Sequence, residues 1–228
     1  MVWLIKKYPK VFQGTCEGIM KRSLLLTIVL GTMMINNCTF KIVAPPPRGL
    51  KYDQERLPQE AAIFIPPDVG SEEVSISGLL CVGPVHKWNV YVGNSLINYS
   101  IEYFNTLYKK THFYELRSDF VSNENIDVVI EPSITYFDIS QSLKTKLNLR
   151  CVILDREGQT IYESEFYGET QESQVVKEAH YGGGVLVAEP ALTDSLGSAL
   201  DDAFKKLLLH LRTGESWERL RLGVKGQR

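Results

Sequence analysis

The side chains that can carry acid–base or metal chemistry are few and scattered in this sequence. The chain has four histidines, which are His86, His112, His180 and His210, and none stands in the HExxH pattern that holds zinc on a helix. No serine occupies a GxSxG turn, so a Ser-His-Asp hydrolase would need a triad assembled entirely by the fold. The histidines therefore predict no particular reaction.

The cysteines exclude two familiar kinds of site. The four cysteines, Cys16, Cys38, Cys81 and Cys151, include no CxxC pair, which excludes a zinc ribbon and a thioredoxin motif. If residues 1–37 are removed from the chain and Cys38 is modified, two cysteines remain in the folded domain, Cys81 and Cys151. They either form a disulfide, worth on the order of 4 kcal/mol in the chain-entropy model, or stay as two separate buried thiols. We predict no metal and no cofactor.

Two stretches are candidate partner surfaces. Gly182-Gly183-Gly184 lacks both the GxGxxG order and the Lys-Ser/Thr of a phosphate loop, so it predicts a flexible loop that is free to contact a partner. Tyr99 and Tyr103 lie one helical turn apart at the edge of a predicted apolar stripe. We expect both places to be contact regions for a protein partner.

The overall composition is that of an ordinary globular protein. The formal net charge is −2 and 44% of the residues are hydrophobic. Neither value suggests a basic stripe or a disordered acidic tail. Nucleic acid is therefore not an expected partner.

The N-terminal region has the order of charges and apolar residues found in secretory signals. Lys21-Arg22 precede an apolar run over residues 24–35, which is shorter than the roughly 20 residues of a membrane-spanning helix. The run matches the apolar part of a signal peptide, about 7 to 15 residues, if Met20 is the true start. The alternative is a short core helix with a buried thiol at Cys38, although Pro45-Pro46-Pro47 would soon end it.

The tetrad Ile35-Asn36-Asn37-Cys38 resembles the lipobox of bacterial lipoproteins. Ile35 and Cys38 match that motif, whereas Asn37 stands where a small residue is usual. The resemblance implies that Cys38 receives lipid and becomes the mature N-terminus. Because Thr39 and not Asp follows the cysteine, nothing suggests retention in the inner membrane. The expected location is the periplasmic face of the outer membrane.

Periodic apolar residues predict two amphipathic helices. The first begins at an Asn94-Ser95 cap and continues to Lys110. The second begins near Thr193 and stops at Gly214. We expect four residues of the second helix to bury it against a sheet, namely Leu200, Phe204, Leu207 and Leu208.

The remaining pattern predicts a mostly antiparallel sheet. Short β-rich runs cover residues 61–65, 74–77 and 113–116, and a longer run covers 126–138, where Pro132 marks a bulge or an edge position. Asp155-Arg156-Glu157-Gly158 predicts a hairpin turn between two further strands. The order predicts an α+β fold with the two helices packed on one face of the sheet.

The chain is thus expected to divide into four parts. Residues 1–37 form the signal region, and 38–58 form the lipidated cysteine with a proline-rich tether. Residues 59–214 form one periplasmic α+β domain, and 215–228 form a basic, frayed tail.

Residues Leu149–Glu163 contain a strand, an Asp-x-x-Gly turn and a return strand, and they follow the expected lipidated cysteine and a proline-rich segment. This arrangement resembles that of small periplasmic accessory lipoproteins of export, secretion and ABC-transport systems. The resemblance implies a noncatalytic protein that is attached to the membrane by lipid and binds an envelope protein or itself. It carries over no catalytic residue. The alternative function is a periplasmic hydrolase with a fold-assembled site.

Overall fold

The computed structural model describes residues 39–47, 49–50, 55–77, 87–121, 123, 125–170 and 185–222. The fold below is that of the compact unit Phe40–Arg228. Its described strands are β1 Thr39–Ile42, β2 Leu57–Phe64, β3 Glu73–Ser77, β4 Lys87–Tyr91, β5 Tyr108–Tyr114, β6 Val128–Ile139, β7 Thr145–Asp155 and β8 Thr160–Glu169. Its described helices are α1 Pro67–Gly70, α2 Val92–Leu107, α3 Ser118–Val121, α4 Val185–Arg212 and α5 Gly214–Leu222.

The main sheet has five strands in the order β5-β2-β6-β7-β8. Strand β2 runs parallel to both of its neighbours, while β6, β7 and β8 pair antiparallel. The predicted α+β class is therefore confirmed, and the sheet is mixed rather than purely antiparallel. The long connection between β2 and β5, which contains α2, supplies the crossover that parallel pairing needs.

Both long helices pack on one face of this sheet, as predicted. Leu96 and Phe104 of α2, and Phe204 of α4, are fully or almost fully buried in the main core. They meet the inward residues of β7, which include Leu149 and Cys151. A smaller cluster on the opposite face consists of Ala62, Phe64, Phe120, Ile126 and Val129.

The helix boundaries differ from the prediction at three ends. Helix α4 begins at Val185, before the predicted start near Thr193, and it contains Pro190. The ring of Pro190 removes one helical hydrogen bond, but the neighbouring Ala188 and Ala191 are fully buried and hold this part of the helix in the core. Helix α2 begins at Val92 and ends at Leu107, so its predicted last turn belongs to β5.

The hairpin and the proline position agree with the sequence. Gly158 has φ +79° in the turn between β7 and β8, and its amide donates to the Asp155 carbonyl at 3.0 Å. Pro132 pairs with Cys151 on β7. It lies beyond Ile130, the last β6 residue that pairs with β2, so it occupies the predicted edge position.

The residues next to the domain are more ordered than a tether and a frayed tail. Strand β1 lies beside β4 in a second sheet, of order β1-β4-β3, where Phe40 stacks on Trp88 with ring centroids 4.4 Å apart. At the other end, α5 continues the fold, and Leu220 is only 2% exposed. Apolar side chains inside both segments explain why they pack.

Candidate functional site

A groove of about 580 Å³ lies between the segment Pro45–Pro47 and one face of α4. We call it the α4 groove. One wall consists of the three prolines with Gly49 and Leu50, and the other wall consists of Pro190 and the polar residues of α4. Tyr99, from α2, also lines the groove.

The proline wall is held in place by two polar side chains of α2. The amide of Ala44 donates to Ser95 Oγ at 2.9 Å, and Ser95 Oγ donates to the Tyr91 carbonyl at 2.9 Å. The Asn98 side-chain amide also donates to the Ala44 carbonyl at 3.4 Å. Because Ala44 is fixed on both sides and proline restricts φ, the wall has little freedom to move.

The helical wall follows from residue spacing. Asp194, Gly197, Asp201 and Lys205 are three or four residues apart, so they share one face of α4. A Cβ atom added at Gly197 would lie 2.9 Å from the hydroxyl oxygen of Tyr99. The absence of a side chain at Gly197 therefore makes room for this hydroxyl.

Tyr99 and Tyr103 lie in the interior and not on an open partner surface as expected. They are 4% and 1% exposed. Their ring centroids lie 6.1 and 5.1 Å from that of Phe204. The physical reason is that α4 crosses this edge of α2 and covers both rings. The Tyr103 hydroxyl donates to the carboxylate of Asp201, which also pairs with Lys205.

The electrostatics of the groove keep both tyrosines protonated. Burial is the main cause that raises the pKa of Tyr99, and the negative charges of Asp201 and Asp194 raise it further. Burial also raises the pKa of Tyr103, followed by its hydrogen bond to Asp201. Both hydroxyls therefore remain hydrogen-bond donors at neutral pH.

A second cleft, of about 360 Å³, contains His210 beside β8. The imidazole Nδ1 lies 2.9 Å from the hydroxyl of Tyr162, whose pKa is raised to about 12, mainly by burial. The carboxylates of this cleft already have partners, because Glu215 pairs with Arg219 at 2.7 Å and Glu163 accepts from Arg150 at 2.9 Å. The cleft therefore brings the imidazole of His210 together with carboxylates, as a hydrolase site would, but both carboxylates are already paired with arginines.

The other described histidine, His112, contacts one carboxylate among the described residues. His112 Nε2 lies 3.4 Å from Glu60 Oε2. Lys110 donates to the other oxygen of Glu60 at 2.8 Å, and this hydrogen bond is the main cause that lowers the pKa of Glu60. Within the described ranges, no Ser, Thr or Cys side chain hydrogen-bonds to the ring of His112 or of His210.

A buried hydroxyl cluster, which the sequence analysis missed, joins α4 to the sheet. Ser195 Oγ lies 2.8 Å from Thr145 Oγ1 and 2.7 Å from Thr170 Oγ1. The amide of Thr145 donates to Thr170 Oγ1 at 2.8 Å. These hydrogen bonds hold α4 at a fixed position against the sheet. Because each hydroxyl is already hydrogen-bonded inside the protein, the cluster offers no free nucleophile.

Several predicted site residues lie outside the described part of the chain. These are Cys38, Cys81 and Gly182-Gly183-Gly184, and two histidines to which no role was assigned, His86 and His180, also lie outside it. Cys151 is fully buried and has no disulfide partner among the described residues; because Cys81 is not described, the pairing of these two cysteines stays a prediction. Across the described ranges, no three His, Cys, Asp or Glu side chains converge to hold a metal ion. Among the helices described, none combines the length and apolar character needed to cross a bilayer.

The polar face of α4 was not predicted from the sequence to be part of a site. The signal was present, because Asp194, Gly197, Asp201 and Lys205 recur at helical spacing. Their juxtaposition with Pro45–Pro47 depends on contacts between segments about 150 residues apart in sequence, which no local pattern predicts.

Comparison with known proteins identifies no function. No family model and no curated protein matches the chain. It is similar to the crystal structure of a Xanthomonas campestris protein whose description names the family DUF330, with TM-score 0.43 and 9% identity over 84% of this chain and 99% of that one. It is also similar to a hypothetical protein from Chlamydia trachomatis, with TM-score 0.35 and 9% identity over 68% and 95% of the two chains.

Proposed function

We propose that this protein is a lipid-anchored envelope protein at the periplasmic face of the outer membrane. In this proposal it acts without catalysis, as an accessory or assembly component of a transport or secretion machine. The observation that carries the proposal is the order of residues up to Cys38, in which a basic pair, a short apolar run and a cysteine succeed one another as in a lipoprotein signal.

The position of β1 supports an anchor at this cysteine. Thr39, the residue after Cys38, is the first of β1, and Ile42 is fully buried. The contact between Phe40 and Trp88 ties this strand to β4. Since one residue extends a chain by at most about 3.6 Å, a lipid on Cys38 would hold the folded domain close to the membrane surface.

The contacts of the described histidines favour binding over hydrolysis. A hydrolase of the triad type needs a nucleophile within hydrogen-bond reach of its base. The described partners of the two imidazole rings are instead the Tyr162 hydroxyl and the Glu60 carboxylate. Neither pair is an activated nucleophile, so the two described imidazole rings give no support to a hydrolase of the triad type.

The anchor can be tested by mass spectrometry and membrane fractionation of the full chain in a bacterial host. We expect the mature N-terminal peptide to begin with lipid-modified Cys38, and Cys38→Ala to abolish incorporation of labelled palmitate. Cys81→Ala, which changes a cysteine of the mature chain, is the matched control and should leave labelling unchanged. Unchanged labelling and membrane attachment in Cys38→Ala would overturn the proposal.

The binding role needs a separate test. We expect the native protein, cross-linked in cells and purified from solubilised membranes, to carry subunits of a transport or secretion complex in fixed proportion. His112→Ala and His210→Ala should complement a deletion strain as well as the wild type does. Loss of complementation in a folded histidine variant, together with purification of the protein alone, would support the hydrolase instead.

A further inference from the structure

We propose that one face of the second sheet, which carries Lys41, Lys87 and Tyr91, lies against the anionic phospholipid headgroups of the membrane. We call it the outer face of the second sheet. This inference rests on the proposed lipid anchor at Cys38 and goes beyond it, because it names the protein surface that meets the bilayer and the headgroup charge that this surface prefers.

Strand alternation separates the two faces of the second sheet. On β4, Trp88 is fully buried, whereas Lys87 is exposed and Tyr91 is half-buried. On β1, Phe40 stacks on Trp88, so Lys41, the next residue, points to the opposite face. The Nζ atom of Lys41 lies 5.8 Å from the ring centroid of Tyr91. The outer face therefore combines two lysines with an aromatic ring.

The covalent chain places this face beside the proposed anchor. Lys41 is three residues after Cys38, so their Cα atoms are at most about 11 Å apart. Strand β1 is the edge strand of the sheet, and β4 is its direct neighbour. A lipid on Cys38 would therefore bring the β1 edge to the membrane surface, where a charge interacts with anionic headgroups over a Debye length of about 8 Å.

The charges of the outer face favour an anionic surface. Neither Lys41 nor Lys87 has an ion-pair partner among the described residues. The acidic residue described on this face is Glu73, which lies opposite Tyr91 on β3, the strand farthest from β1. Anionic lipids attract lysines close to the membrane surface, and tyrosine is enriched where membrane and water meet. The two strands nearest the anchor thus carry the residues that suit this contact.

Lysine acetylation of the lipidated protein tests the contact. The full chain is expressed in a bacterial host, and the purified lipoprotein is inserted into vesicles of phosphatidylcholine alone or of an equal mixture with phosphatidylglycerol. Mass spectrometry follows the reaction of each lysine with uncharged N-hydroxysuccinimidyl acetate. We expect Lys41 and Lys87 to react about fivefold more slowly on the mixed vesicles. Lys109, an exposed residue of β5, should react equally on both.

Charge reversal and salt test the electrostatic origin of this protection. Lys41→Glu should largely restore the reaction of Lys87 on mixed vesicles, and Lys87→Glu should do the same for Lys41, whereas Lys109→Glu should leave both protected. Salt at about 1 M shortens the Debye length to about 3 Å and should also restore the reaction. A folded Lys41→Glu or Lys87→Glu variant whose remaining lysine stays protected would overturn the proposal.

Vesicle flotation distinguishes a failure of this inference from a failure of the anchor. If the protein floats with both kinds of vesicle while Lys41 and Lys87 react equally fast on them, the proposed orientation is wrong and the anchor stands. Equally slow reaction on both kinds would overturn the preference for anionic headgroups. Protein that floats with neither kind would overturn the anchor and this inference together.

Discussion

The backbone amide of Ala44 donates a 2.9 Å hydrogen bond to the Oγ of Ser95, 51 residues further along the chain. Both residues are fully buried. Ser95→Ala leaves this amide without its acceptor, so we expect it to lower the free energy of unfolding by about 1 to 3 kcal/mol. Urea unfolding measures the change. Ser77→Ala, at an exposed strand position, is the control, and an equal effect of the two variants would contradict the role of Ser95.

The centre of the interface between α2 and α4 is the ring of Phe204, which is fully buried and contacts Tyr99, Tyr103 and Phe104. Phe204→Ala should cost about 3 to 5 kcal/mol in free energy of unfolding. Leu209→Ala on the same helix should cost less than about 0.5 kcal/mol, because Leu209 is 67% exposed. Chemical denaturation compares them, and a loss below about 1 kcal/mol for Phe204→Ala would show that the interface does not form.

Two glycines should respond differently to substitution. A Cβ at Gly168 would lie 2.2 Å from the carbonyl oxygen of Ala199, so Gly168→Ala must separate β8 from α4 and should cost about 1 to 3 kcal/mol or more. Gly158 has positive φ but open space around it. Gly158→Asn should therefore cost less than about 1 kcal/mol, since asparagine tolerates this conformation. Thermal melts give both values, and a mild Gly168→Ala would refute the close packing.

Alkaline pH should destabilise the protein in two stages. Burial raises the pKa of Cys151 and, together with other causes, that of Tyr108, so the folded chain keeps protons that the unfolded chain loses. The stability that these retained protons contribute is complete below the pKa values of the unfolded chain and is lost as the pH rises above them. The loss begins above about pH 8.5 for the thiol and above about pH 10 for the buried tyrosines. Each group lowers the free energy of unfolding by up to about 1.4 kcal/mol per pH unit.

Urea unfolding between pH 7 and 11 measures this profile. Cys151→Ala should remove the decline between about pH 8.5 and 10 and keep the decline above it. A profile of the wild type that changes when a reducing agent is added would indicate instead that Cys151 is paired. A flat profile under reducing conditions would contradict the burial of these groups.

The parts of the fold that local patterns specify agree with the sequence. The hairpin at Gly158, the strand run around Ile63 and the apolar stripe through Phe204 all follow from turn chemistry and periodicity. The parallel pairing of β2 with β5 and β6 could not be predicted, because it depends on contacts between distant segments. For the same reason, Tyr99 was predicted at an edge and is instead covered by α4.

Strand β2 is an interior strand of the sheet and α4 comes late in the sequence, and both positions limit when this chain can fold. Strand β2 cannot complete its pairing until β6 has been synthesised, and the inward face of β7 stays uncovered until α4 is added. A nascent chain that ends before residue 185 therefore presents Leu149 and Cys151 to water. Folding must largely wait for the whole chain, and shortened fragments of it should be prone to aggregation.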